Sequence, residues 1–164
     1  MSISRLSRAG PMLAMVTSTV AFDQVVKWLV ETRLPFNELI PVAPMLALYR
    51  TWNEGIAFSL LKSLPDVALL GVTALVAVFV VILWWRTPPE RSIAHLGYAL
   101  IIGGAIGNLI DRAVYGHVVD YILFYTENWS FAVFNLADSF ISVGAGLIVL
   151  DEVIATVRER KTRA

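Results

Sequence analysis

Four stretches of the chain stay apolar over the roughly 20 residues that a helix needs to cross a bilayer. They run from about Pro11 to Val30, Val67 to Trp85, Ile93 to Ile110 and Phe134 to Val153. Asp23 and Lys27 interrupt the first, the second carries no charge, and Asp138 stands near the start of the fourth. Between the first two, Pro35, Pro41 and Pro44 exclude a continuous helix. Leu46 to Leu60 reads instead as strand, turn and strand, with Asn53-Glu54-Gly55 as the turn signal. The pattern predicts an all-α membrane protein, one domain over residues 1–164, with four transmembrane helices and a small β-hairpin resting on the membrane.

Composition supports this reading. Hydrophobic residues make up 57% of the 164, and charged residues only 16%, where a soluble domain carries about 25%. Mean hydropathy is +0.70. Thirteen basic residues balance 13 acidic ones, which gives no support for nucleic-acid binding. With no cysteine, disulfides, Cys-ligated zinc and thiol catalysis are excluded. His95 and His117 are the only histidines and form no His-Glu-x-x-His motif, so a zincin site is excluded as well.

Arg5 and Arg8 before an apolar run imitate a signal peptide. No small-x-small cleavage site follows and the apolar pattern continues to Val30, so an uncleaved anchor is expected. Lys and Arg near the span ends set orientation. Arg5, Arg8, Arg86, Arg91, Arg158, Arg160, Lys161 and Arg163 all fall on one side, which is therefore expected to be cytoplasmic. Both termini are then inside, and segments 31–66 and 111–133 lie outside. Trp84, Trp85 and Trp129 fit aromatic belts at the interfaces.

The candidate chemistry lies in two aspartates at the edge of apolar sequence. Asp120 lies in Val118-Val119-Asp120-Tyr121-Ile122, and Asp138 follows Phe134-Asn135-Leu136-Ala137. A carboxylate in hydrocarbon costs roughly 2.5–3.5 kcal/mol on insertion scales. Two that meet suggest a shared-proton pair able to split a peptide bond with water. Asn135 and Asp138 lie on nearly one helix face, and Asn135 also suits the N-cap. Gly104, Asn108 and Arg112 share a face of the third span. Gly103 and Gly107 form a Gly-xxx-Gly packing pair. Asp23 and Lys27, at i and i+4, read as an intrahelical ion pair. His117 beside Ser139 or Ser142 is a weak alternative, since no Gly-x-Ser-x-Gly elbow surrounds either serine. His95 reads as an interfacial side chain.

These residues resemble the type II lipoprotein signal peptidases of bacteria, in five boxes spread over nearly the whole chain. Asp23-Gln24-x-x-Lys27 is the first, and Asn53-x-Gly55-x-Ala57-Phe58 the second. Gly103-Gly104-Ala105-x-Gly107-Asn108-Leu109-x-Asp111-Arg112 is the third. Val118-Val119-Asp120 and Phe134-Asn135-x-Ala137-Asp138 complete the set. Tyr121 departs from the pattern, because the family usually has Phe there; its hydroxyl is expected to tune the hydrogen bonding of Asp120.

The resemblance implies four transmembrane helices, a small extracytoplasmic β-cradle and an aspartic mechanism with Asp120 and Asp138 as the catalytic pair. It implies that Asn53, Asn108, Arg112 and Asn135 line the substrate site, with Asp23, Lys27, Asp111, Gly55 and Gly104 in support. The implied substrate is a prolipoprotein whose cysteine carries diacylglycerol, cleaved just before that cysteine. No metal or organic cofactor is expected, and a monomer in the inner membrane is. A globomycin-type cyclic peptide is expected to occupy the dyad. One carboxylate would act as general base on water, and the other would polarise the scissile carbonyl and help protonate the leaving amine. A proton-coupled transporter would place its carboxylates nearer the bilayer midplane, and a non-catalytic module binding lipidated proteins would not need both aspartates.

Overall fold

The computed structural model describes residues 3–55 and 66–163. Four helices and three strands follow in the order α1 (Ile3–Arg33), β1 (Leu39–Ala43), β2 (Leu46–Asn53), α2 (Asp66–Arg86), α3 (Ser92–Tyr115), β3 (Val118–Phe124) and α4 (Leu136–Arg163). Each expected span becomes a helix; the first three extend past both ends of the stretch that announced them, while α4 starts two residues inside at Leu136 and runs on to Arg163. Among the described residues three helices are long and apolar enough to cross a membrane: Ala9–Arg33 of α1, all of α3, and Leu136–Arg160 of α4. In α2 the apolar stretch is Leu70–Arg86.

Helix α3 is the centre, packing against α1, α2 and α4. Its apolar stretch is mostly buried, whereas those of α1 and α4 are mostly exposed, as suits helices that face lipid. Small residues on two faces of α3 allow the close approach. A methyl at Gly103 would stand 2.6 Å from the Thr19 Cβ of α1, and one at Gly97 would stand 2.6 Å from the Gly144 carbonyl of α4. The Gly103/Gly107 pair therefore faces α1, where Gly107 meets the Asp23 carboxylate. At the other end of the bundle Arg91 bridges to Asp151 and, at 2.7 Å, to Glu152, tying the start of α3 to α4.

The β element differs from the sequence expectation. Instead of an isolated hairpin within 46–60, the three strands form one antiparallel sheet in the order β1-β2-β3. The hairpin closes at Pro44–Met45, with Ala43 opposite Leu46. Pro41 is accommodated because β1 is an edge strand. Asn53-Glu54-Gly55 does turn the chain, with the Gly55 N–H donating to Asn53 Oδ1 at 3.0 Å, but it closes β2. The expected second strand up to Leu60, with Ala57 and Phe58, lies outside the described residues. The second partner of β2 is β3, from a segment expected only as an outer connection. The chain reaches it through Gly116, whose φ of +77° forms the left-handed cap of α3 while its N–H donates to the Arg112 carbonyl at 3.1 Å.

Candidate active site

The end of α1, the end of α3, the start of α4 and strands β2 and β3 converge on one polar cluster. Asp120 projects from β3 opposite Thr51 of β2 and is buried. Its Oδ2 accepts from Asn53 Nδ2 at 2.9 Å and its Oδ1 from Asn135 Nδ2 at 2.7 Å. Asp138 lies in the first turn of α4. Its Oδ1 accepts from Asn108 Nδ2 at 2.8 Å and its Oδ2 from the Asn135 N–H at 3.2 Å. Asn108 and Asn135 also join each other, Asn135 Nδ2 donating to Asn108 Oδ1 at 3.1 Å. A continuous path of hydrogen bonds thus links one carboxylate to the other through two amides.

Asn135 caps the helix and enters the site at once. Its Oδ1 accepts the Asp138 N–H at 3.0 Å while the Asp138 carboxylate accepts the Asn135 N–H, the reciprocal arrangement of a capping box. The positive end of α4 faces the cluster and favours negative charge there.

Behind this pair, Lys27 Nζ bonds Asp23 Oδ2 at 2.9 Å, Asp111 Oδ2 at 2.8 Å and Asn108 Oδ1 at 2.9 Å. All four side chains are buried. The i,i+4 pair is therefore half of a triad that joins α1 to α3. One lysine cannot balance two carboxylates, and N–H donors supply the rest: Ala137 to Asp23 at 3.0 Å, Val119 to Asp111 at 3.2 Å and Gln24 Nε2 to Asp111 at 2.8 Å. Gln24 was named only as a box residue by the sequence; its position beside Asp23 was the available signal.

Arg112 parts from Asp111 and turns the other way, donating to the Gly55 carbonyl at 2.8 Å. It joins the end of β2 to α3. Gly104 meets α4: a methyl there would stand 2.5 Å from the Ala137 carbonyl. Tyr121 does not bond Asp120, contrary to expectation. Strand alternation sends neighbouring side chains to opposite faces, and the Tyr121 hydroxyl accepts the Leu136 N–H at 3.2 Å. His117 stacks on Trp52 with centroids 4.5 Å apart, while the Ser139 hydroxyl donates to the Asn135 carbonyl, so a Ser–His pair is not assembled. His95, at the opposite end, contacts the Pro88 carbonyl and lines an apolar cleft of about 290 Å³ with Met12, Trp84 and Leu96.

Burial first, and the charge of Asp138 second, raise the Asp120 carboxyl from 3.8 to about 7, against the lowering effect of the Asn53 and Asn135 donors. Burial likewise pushes the Tyr121 hydroxyl up, so it stays protonated. Among the described residues no group of three or more His, Cys, Asp or Glu is placed to hold a metal ion.

Apolar helices packed round a polar cluster, with a small sheet at one end, define a helical membrane-protein fold, and solved structures of bacterial membrane enzymes share it. One, described as a bacterial membrane enzyme at 2.3 Å resolution, superposes with a TM-score of 0.79 at 26% identity, over 94% of this chain and 92% of that one. A second, at 1.9 Å, gives 0.74 at 27% identity over 86% and 91%. The family model for signal peptidase (SPase) II matches residues 15–154. The lipoprotein signal peptidase of Mesorhizobium japonicum is 58% identical over 150 residues, 92% of this chain and 89% of that protein. That of Sinorhizobium fredii is 54% identical over 157 residues, 96% and 95%. The chain belongs to the signal peptidase II family, and is thus a peptidase.

Proposed function

We propose that the chain is an intramembrane aspartic endopeptidase that removes the signal peptide from diacylglyceryl-modified prolipoproteins, cleaving before the lipidated cysteine. The observation that carries this reading is the hydrogen-bonded path Asp120–Asn135–Asn108–Asp138, which holds one buried and one half-buried carboxylate in a single cluster. The names of the relatives supply the substrate class.

Asp120, raised to about 7, carries the shared proton. Asp138 is the general base, its carboxyl oriented by Asn108 and the Asn135 N–H. Asp138 takes a proton from water as the water oxygen attacks the scissile carbonyl carbon. Asp120 donates its proton to the carbonyl oxygen, giving a tetrahedral diol. Collapse breaks the C–N bond; Asp138, which now holds a proton, passes it to the leaving amine in place of the polarising carboxylate expected from the sequence, and the diol proton returns to Asp120. Asn53, Asn108, Arg112 and Asn135 contact substrate around the pair. Asp23, Lys27, Asp111, Gly55 and Gly104 hold these residues in place.

The whole of 1–164 acts as one domain and as a monomer, with no cofactor. Helix α2 is the fourth crossing: 21 residues at about 1.5 Å each match a hydrocarbon core of about 30 Å. The arginine-rich ends are cytoplasmic, and the site lies at the outer surface of the inner membrane, level with a scissile bond whose acyl chains remain in lipid. A globomycin-type peptide would bind across the dyad.

The test presents purified protein in detergent with one precursor, diacylglyceryl-modified or unmodified at its cysteine. Cleavage of the modified form alone, immediately before that cysteine, is expected. No cleavage by well-folded protein, or scission elsewhere, would contradict the proposal.

A further inference from the structure

The first three N–H groups of α4 have no acceptor within the helix, and each is met by a side chain from a different place. Asn135 takes that of Asp138, Asp23 of α1 takes that of Ala137, and Tyr121 of β3 takes that of Leu136. The Tyr121 bond stands beside two other ties between the same segments. The Tyr121 and Ile122 N–H groups donate to the Phe134 carbonyl at 3.0 and 2.8 Å, and the Phe134 N–H donates to the Ile122 carbonyl at 3.0 Å. Asn135 Nδ2 donates to Asp120. Residues 134, 135 and 136 are therefore docked on 120–122 by backbone, side chain and hydroxyl in turn.

We infer that Tyr121 is a positioning residue of the dyad: by holding the first N–H of α4, its hydroxyl fixes the start of the helix that bears Asp138 against the strand that bears Asp120. This rests on the aspartic reading above. The tyrosine is 4% exposed, so its ring is held by packing, and Phe at this position would keep the ring and lose only the bond. The hydroxyl adds one bond to a docking that backbone groups and Asn135 already make, so the effect is one of degree. Loss of the bond leaves the Leu136 N–H without its acceptor and loosens Asn135, the next residue back, against Asp120. Asp120 and Tyr121 sense Asp23 and Lys27 of α1 and Asp138 of α4, while Arg112 of α3 senses both dyad carboxylates; Asn53 of β2 completes the surroundings. None of these is altered by the change at 121.

The test measures kcat and KM across the neutral pH range for wild type, Tyr121→Phe and Asp120→Asn on the same lipidated precursor, with thermal unfolding alongside. For Tyr121→Phe, kcat should fall about fivefold, the usual net worth of one neutral hydrogen bond, with KM close to wild type. Its alkaline limb should move upward, because a loosened Asn135 no longer lowers the Asp120 carboxyl. Wild-type kcat, or a loss that follows the unfolded fraction with the limb in place, would overturn the inference while Asp120→Asn remains inactive. Turnover by Asp120→Asn would overturn the dyad reading, and the inference with it.

Discussion

Asn135 donates to Asn108 at 3.1 Å, and through that contact the carboxylates of Asp120 and Asp138 share one amide network. The bond joins the cap of α4 to the last turns of α3, so helix packing and carboxylate placement are one geometric problem. Asn135→Ser separates the two duties of this residue. Serine caps a helix about as well as asparagine, where alanine would cost about 0.5–2 kcal/mol, but its hydroxyl cannot also reach Asp120 and Asn108. The melting temperature should stay close to wild type while turnover falls steeply. Loss of both together would place the role of Asn135 in the cap.

The raised Asp120 carboxyl gives two consequences of defined sign. The folded protein binds more protons than the unfolded chain between 3.8 and about 7. The stability from this group is therefore greatest at low pH and declines as pH rises through that window. Asp120→Asn removes the dependence, so its gain in melting temperature should be larger above neutrality than in mild acid. For catalysis, kcat/KM should fall above about 7 as Asp120 loses its proton. Asn53→Ala deletes a donor that lowers this carboxyl, and should move the alkaline limb upward. Rate profiles of the two proteins decide; coincident limbs would speak against Asp120 as the proton carrier.

Lys27→Met leaves Asp23 and Asp111 facing each other without their shared cation. Breaking one side of a buried ion pair costs about 3–5 kcal/mol. The variant should unfold in detergent at markedly lower temperature. By contrast, Asp23→Ala with Lys27→Ala removes both charges of the helical pair. It should lose thermal stability before it loses activity per folded molecule, since neither residue touches Asp120 or Asp138. Initial rates beside unfolding curves check this.

Gly104→Ala would set a methyl 2.5 Å from the Ala137 carbonyl and 2.9 Å from Ile141 Cγ1. Overpacking of this kind costs about 1–3 kcal/mol. It forces α3 from α4 exactly where Asn108 reaches Asp138, so activity should fall with stability. Gly146, in the same helix α4, has nothing within 4 Å of such a methyl. Gly146→Ala should leave both unchanged or raise stability slightly.

Features carried by local periodicity were legible in the sequence. The helices follow from long apolar runs, the cap from Asn135 ahead of one of them, and the close packing of α3 from glycines four apart. Features made by distant partners were not. Val118–Phe124 is an almost unbroken apolar run without strand alternation, and only its register against β2 makes it the strand that carries Asp120. Lys27 showed its i,i+4 partner but not Asp111, which packing of α1 on α3 brings to it. Arg112 was placed on one face with Gly104 and Asn108, but its bond to the Gly55 carbonyl depends on the distant end of the β2 segment. The Tyr121 hydroxyl was expected at Asp120 because the two are adjacent in sequence, and the pleat sends it to Leu136 instead.

The central claim is that Asp120 and Asp138 together perform the hydrolysis. The most direct measurement is cleavage of a diacylglyceryl-modified prolipoprotein by wild type, Asp120→Asn and Asp138→Asn, each purified and shown to be folded. Cleavage before the modified cysteine by wild type alone is predicted. Near-normal turnover by either variant would contradict the dyad.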